Sequence, residues 1–287
     1  MSTVFNKKSR NGTDRDPCRP TRGNNAPIGV FDSGVGGLTV LCELVRLMPN
    51  EDFIYFGDEA NAPYGALTHD EVRAAALAAL DRLTSLGIKA LAVACNTATA
   101  AAIDTLRAAR PEMPIIGTEP AVKVAHDAGY RRILVLATPV TVAEPRFETL
   151  VETRCGDAEV IALPCLRLAT LIEENDAASP IFDSYMRELL SPYAGRFDSI
   201  VLGCTHYPLI KDSIAAVASE YSGGRELPIF DGAAAIARQT LRRLGEAGIT
   251  ADADRQGQVS CLSSGGDGGR RIEEIWQRIA PSATERG

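Results

Sequence analysis

The sequence predicts an α/β fold: two similar α/β domains with mainly parallel sheets, facing each other across a central cleft. Three observations carry this expectation. Short apolar runs alternate with helical stretches along most of the chain, the rhythm of strand-helix-strand units. Two of those runs, Leu91-Ala92-Val93-Ala94-Cys95-Asn96-Thr97-Ala98-Thr99 and Ser199-Ile200-Val201-Leu202-Gly203-Cys204-Thr205-His206-Tyr207-Pro208, share a plan in which a thiol and small polar residues follow the apolar stretch. Their cysteines stand about 110 residues apart, roughly one small domain. Continuous apolar runs suit strands buried on both faces, and open parallel sheets bind ligands beyond the carboxyl ends of their strands.

Residues 1–26 hold Lys7, Lys8, Arg10, Arg15, Arg19 and Arg22 among Asn, Thr, Gly and Pro, and are expected to form a disordered tail. Asp14 and Asp16 interrupt the basic run, which disfavours a transit peptide. Ile28-Gly29-Val30-Phe31 reads as a strand, followed by the turn Asp32-Ser33-Gly34-Val35-Gly36-Gly37 and a helix with apolar positions Leu38, Leu41, Val45 and Met48. That turn does not match G-x-G-x-x-G, so it is not a dinucleotide site, although open N–H groups at a helix start suit a carboxylate.

Phe53-Ile54-Tyr55-Phe56 is the next strand, and a loop through Pro63-Tyr64-Gly65 leads to a long Ala-rich helix whose capping box is Thr68 with Glu71. After the Cys95 strand, 97–110 reads as a helix, and Ile115-Ile116-Gly117 as a strand. Ile133-Leu134-Val135-Leu136-Ala137-Thr138 is another strand, with Pro139-Val140-Thr141 as a loop, a helix from about residue 143, a strand over 158–163, and helices over 167–175 and 180–193. Beyond the Cys204 strand come a strand ending at Asp231-Gly232, a helix over 233–244, and a Gly-, Ser- and Asp-rich stretch holding one helix near 271–278.

The chain of 287 residues is 45% hydrophobic and 23% charged, ordinary for a globular protein, and its net charge of -7 without a basic stripe argues against nucleic acid as a partner. No apolar run approaches the roughly 20 residues that span a bilayer, and no signal-peptide core is visible. A cytoplasmic location is therefore expected. Seven cysteines without a framework spacing suit free thiols.

Cys42, Cys155 and Cys261 read as packing residues. Cys95 and Cys204 differ, because hydroxyl and amide groups follow them and a helix start would favour a thiolate. Two such thiols allow a disulfide switch, a zinc site or a two-base proton shuttle. Zinc is disfavoured by the close Cys204-Thr205-His206 spacing and by a total of only three histidines. A Cys-His nucleophile would leave Cys95 unexplained. Inverting a carbon centre needs one group on each face, and a cysteine pKa of about 8.5 is within reach of general acid-base work.

The motifs Gly29-Val30-Phe31-Asp32-Ser33-Gly34-Val35-Gly36-Gly37-Leu38-Thr39, Phe56-Gly57-Asp58, Ala62-Pro63-Tyr64-Gly65, Ala94-Cys95-Asn96-Thr97-Ala98-Thr99 and Leu202-Gly203-Cys204-Thr205-His206-Tyr207-Pro208 together resemble the glutamate racemases of the aspartate/glutamate racemase superfamily. The resemblance runs from about residue 27 to 240. It implies interconversion of L- and D-glutamate without cofactor or metal, supplying D-glutamate for bacterial peptidoglycan. Cys95 and Cys204 would be the two catalytic bases, Cys95 serving D-glutamate and Cys204 L-glutamate, assisted by Asp32, His206 and Glu173.

By the same resemblance Asp32, Ser33, Tyr64, Gly65, Asn96, Thr97, Thr141, Thr205 and His206 would hold the substrate. It also implies a discontinuous first domain over 27–120 and 228–287, a second domain over 121–227, and glutamate as the small-molecule partner, with neither nucleic acid nor membrane. A homodimer is expected. Two positions depart from the family pattern, Val140 and Gly232, where many relatives carry Gly and Ser. The five lysines, two of them in the tail, offer no strand-end Schiff base for pyridoxal phosphate.

Overall fold

A computed structural model describes residues 24–281. The tail expected over 1–26 lies outside the described residues except for its last three, and Asn25 is already hydrogen-bonded to Asp252 at 2.7 Å.

The first unit opens with β1 (Ile28–Asp32), α1 (Leu38–Leu47), β2 (Phe53–Gly57), α2 (His69–Ser85), β3 (Ala90–Val93), α3 (Asn96–Ala109) and β4 (Ile115–Gly117). Next come α4 (Val122–Asp127), β5 (Arg132–Ala137), α5 (Pro139–Ala143), α6 (Pro145–Cys155), β6 (Glu159–Pro164), α7 (Leu168–Glu174), α8 (Ile181–Leu190), β7 (Ser199–Gly203) and α9 (Lys211–Tyr221). The chain ends through β8 (Ile229–Asp231), α10 (Ala233–Ala247), β9 (Val259–Ser263) and α11 (Arg270–Ile279).

These strands make two parallel sheets, ordered β4-β3-β1-β2-β9 and β6-β5-β7-β8. The continuous apolar runs have a direct cause, because each sheet is covered on both faces. In the first sheet Val30, Tyr55 and Ala92 pack towards Leu41 and Leu44 of α1 and Ile236 of α10. The alternate residues Phe31, Phe56 and Val93 pack towards Leu80 of α2 and Ala102 of α3. The second sheet repeats the arrangement, with Leu136 and Leu202 facing Phe182 and Met186 of α8, and Val135 and Val201 facing Val122 and Phe147. The capping box of α2 is present, Thr68 and Glu71 exchanging both hydrogen bonds.

Several details differ from the sequence expectation. Pro139-Val140-Thr141 forms the short helix α5 rather than a loop, because Thr138 caps it with its side chain and Pro139 occupies the first turn. Strand β9 and helix α4 were not expected. The division expected at 227 falls before β8, which hydrogen-bonds to β7 in the second sheet, so the chain returns to the first unit only at α10. Among the described residues no helix is long and apolar enough to cross a membrane.

The topology places two special positions. In the first sheet β1 stands between β2 and β3, so the chain adds β2 on one side of it and then crosses back to add β3 on the other; in the second, β5 stands likewise between β6 and β7. Such reversals open a crevice at the strand carboxyl ends. Cys95 lies just beyond β3 at the first reversal, and Cys204 just beyond β7 at the second.

Candidate active site

Both thiols line a single cleft between the two sheets. Cys95 is the N-cap of α3, and its sulfur accepts the Ala98 N–H at 3.4 Å while its S–H points to the Ser33 hydroxyl at 3.6 Å. Cys204 Sγ lies 3.8 Å from His206 Nδ1, and His206 Nε2 lies 2.7 Å from Glu173 Oε1 on α7. Asp32, at the end of β1, is fully buried; it accepts the Thr205 hydroxyl at 3.0 Å and the Gly34 N–H at 3.0 Å. The turn of the first unit therefore meets the Cys204 loop of the second directly.

That meeting explains one glycine. A Cβ on Gly36 would stand 2.7 Å from His206 Nδ1, 2.7 Å from Thr205 Oγ1 and 2.8 Å from the His206 main-chain nitrogen. Only a residue without a side chain lets the two units approach this closely.

Of the residues expected to hold substrate, Ser33, Tyr64, Gly65, Asn96, Thr97, Thr205 and His206 line the cleft, as does Glu173. Two expected residues sit elsewhere. Asp32 lies behind the lining and reaches it through Thr205. Thr141 lines an adjoining cavity and meets the cleft through Thr138, whose hydroxyl lies 2.9 Å from the Thr141 hydroxyl, accepts the Thr141 N–H at 3.2 Å and is also bonded to Thr97 at 3.0 Å. The Tyr64 hydroxyl is engaged by Asp58 at 2.5 Å. Thr138 itself is a lining residue that the sequence reading passed over. Its position, at a strand end immediately before a proline, was the available signal.

Electrostatics departs from expectation at Cys95. The helix start was expected to favour a thiolate, but burial and then the nearby Asp32 carboxylate push the Cys95 thiol up to about 12, outweighing the Ala98 and Ser33 hydrogen bonds. Burial likewise raises Asp32 against the pull of His206. For His206, burial opposes the charged form, yet hydrogen bonds with Cys204 and Glu173 and the charge of Asp32 hold it well above the ordinary imidazole range. Burial would raise Glu173, but the bond to His206, its charge and that of Arg271 keep it below the usual carboxylate range. These surroundings favour the neutral thiol at Cys95 and the protonated imidazole at His206.

One consequence is measurable in the substrate-free protein. Only the thiolate alkylates, so labelling of Cys95 by iodoacetamide should rise about tenfold per pH unit between about pH 7 and pH 10. Peptide mass spectrometry follows it; a rate already flat near neutral pH would mean that the thiol is ionised at rest.

Among the described residues no cluster of three His, Cys, Asp or Glu side chains is arranged to hold a metal ion. Residues 29–240 match the family of Asp/Glu/Hydantoin racemases. The chain belongs to that family. It is 42% identical over 263 residues to the glutamate racemase of Clostridium botulinum, covering 90% of this chain and 98% of that protein. The glutamate racemase of Francisella tularensis, solved in complex with D-glutamate, matches with a TM-score of 0.78 and 28% identity over 90% of this chain and 96% of that one. The Escherichia coli enzyme, solved with L-glutamate and the activator UDP-MurNAc-ala, matches with a TM-score of 0.74 and 27% identity, covering 88% and 95%.

The departure at Gly232 now has a physical reason within this family member. A Cβ there would meet Thr118 Oγ1 at 2.7 Å and the Glu119 carbonyl at 3.0 Å, so the position has no room for a serine as packed here. Val140 is buried in the core shared with α2 and α3, where its side chain fills space.

Proposed function

We propose that this racemase-family protein interconverts L- and D-glutamate without a cofactor, one cysteine thiolate taking the α-proton from one face and the other thiol returning a proton to the opposite face. The observation that carries this reading is the delivery of two thiols, by two different sheets, into one cleft. A single nucleophile would need only one of them. The similarity to proteins named glutamate racemase supports glutamate as the substrate.

The roles follow from the contacts. An α-proton is weakly acidic, so its removal calls for a strong base, and a thiol whose pKa is raised by burial becomes one once ionised. Ser33, Asn96, Thr97 and Thr205 offer hydroxyl and amide donors that suit the two carboxylates, and donors held in place also stabilise the charge that develops as the proton departs. Protonated His206 stands where it can exchange a proton with Cys204, and Glu173 holds its ring in place. Asp32 orients Thr205. By family analogy Cys95 serves D-glutamate and Cys204 L-glutamate. The same reading makes the protein a cytoplasmic homodimer that supplies D-glutamate for peptidoglycan.

Incubation with L-glutamate in deuterium oxide, with no added cofactor, tests the reaction. Loss of optical rotation together with deuterium at the α-carbon is expected. Tight binding without exchange would leave an amino-acid-binding module instead.

A further inference from the structure

The segment formed by β9 and α11 contributes no residue to the cleft lining, yet one of its side chains crosses to the second unit. Arg271, in the first turn of α11, donates from Nη2 to the main-chain oxygen of Glu173 at 2.9 Å. Its Nη1 lies 3.4 Å from Glu59 Oε1. Glu59 is held in turn by the Ser263 hydroxyl of β9 at 2.6 Å. One arm of the guanidinium is thus anchored on its own unit, and the other reaches the last turn of α7.

The residue it reaches is the one that orients His206. The Glu173 carboxylate has little room to move: a Cβ on Gly34 would come within 2.2 Å of its Oε1, so it already rests on the 32–37 turn. A displacement of the main chain at Glu173 would carry the carboxylate away from the imidazole, and the imidazole away from Cys204.

We infer that Arg271 is a positioning residue for proton transfer at Cys204, acting through Glu173 and His206. The inference rests on the two-thiol reading above. The Arg271 side chain is 43% exposed, so water screens its charge and the ion pair with Glu59 contributes little attraction. What the contact supplies is direction: a planar fork can hold two acceptors at once in fixed geometry, and a lysine ammonium on a flexible stem does so less well.

The test compares full-length Arg271→Met and Arg271→Lys with the unaltered protein, using L- and D-glutamate deuterated at the α-carbon. For Arg271→Met, kcat should fall about tenfold, the size of one lost hydrogen bond to a charged group, with KM changed less than about twofold. The deuterium isotope effect on kcat/KM should increase for the enantiomer that Cys204 deprotonates and not for the other. Arg271→Lys should recover part of the rate. Isotope effects that stay unchanged or move equally, a loss confined to KM, or no recovery with lysine would overturn the inference. If Arg271→Met folds poorly, Glu59→Gln loosens the same guanidinium from its own unit and gives the same isotope comparison. Failure of the two-thiol reading shows separately, as near-normal racemisation by Cys204→Ala.

Discussion

Cys204→Ala is expected to lower kcat/KM for racemisation by about a thousandfold, the usual scale for removing a positioned acid-base group. The loss must be equal in both directions, because enantiomers have equal free energy and the ratio of the two kcat/KM values is fixed at one. Cys95→Ala should fail to the same degree. The two variants separate in isotope exchange: the protein that retains Cys95 can still remove and return a proton on the face that Cys95 meets, so one enantiomer exchanges its α-hydrogen without inverting. Polarimetry and proton NMR in deuterium oxide read the two events independently. Cys155→Ala is the control, since Cys155 is buried in the core of the second unit among Val122, Phe147 and Val201. A single-cysteine variant that racemises at the normal rate would sink the two-base reading.

Gly36→Ala should do nearly as much damage with one methyl group. The added carbon would stand 2.7 Å from His206 Nδ1 and 2.8 Å from the His206 main-chain nitrogen, and the latter belongs to the backbone of the opposite unit and cannot rotate away. Overpacking of this kind costs about 1–3 kcal/mol where the structure must shift. Here the shift falls on the ring that faces Cys204, and a displacement of roughly 1 Å in a catalytic group can cost about a hundredfold in rate. Thermal denaturation and kcat/KM together check it. Full activity with unchanged melting would show that the two units do not meet as described.

Much of this was legible in the sequence for a physical reason. The inner strands β1, β2, β3, β5 and β7 are covered by helices on both faces, so they read as apolar runs, and residues just beyond β1, β3 and β7, namely Ser33, Cys95 and Cys204, line the cleft. Strand β9 was hidden because Val259-Ser260-Cys261-Leu262-Ser263 is an edge strand, only partly buried along its length, within a polar stretch. Helix α5 could have been found, since Thr138 followed by Pro139 is an N-cap before a first-turn proline; the shortness of the segment made it resemble a loop.

The site followed the same division. Local motifs located the two thiols, their polar neighbours and His206. They could not reveal the ionisation of Cys95, which depends on how deeply residues distant in the chain bury it and on an Asp32 carboxylate some 60 residues away. Nor could they reveal Arg271, whose meaning lies in a contact with a main-chain oxygen 98 positions earlier.

The late arrival of β9 has a consequence for biosynthesis. Strand β2 receives its outer neighbour from about 200 residues downstream, whereas the four strands of the second sheet all lie between residues 132 and 231. During translation the second sheet can therefore close while β2 still exposes an unpaired edge, the kind of surface on which nascent chains associate wrongly. Arg271 emerges later still. A ribosome stalled before residue 259 would carry a chain in which every residue lining the cleft, from Ser33 to His206, is already made while the sheet that leads to Cys95 still lacks its edge strand.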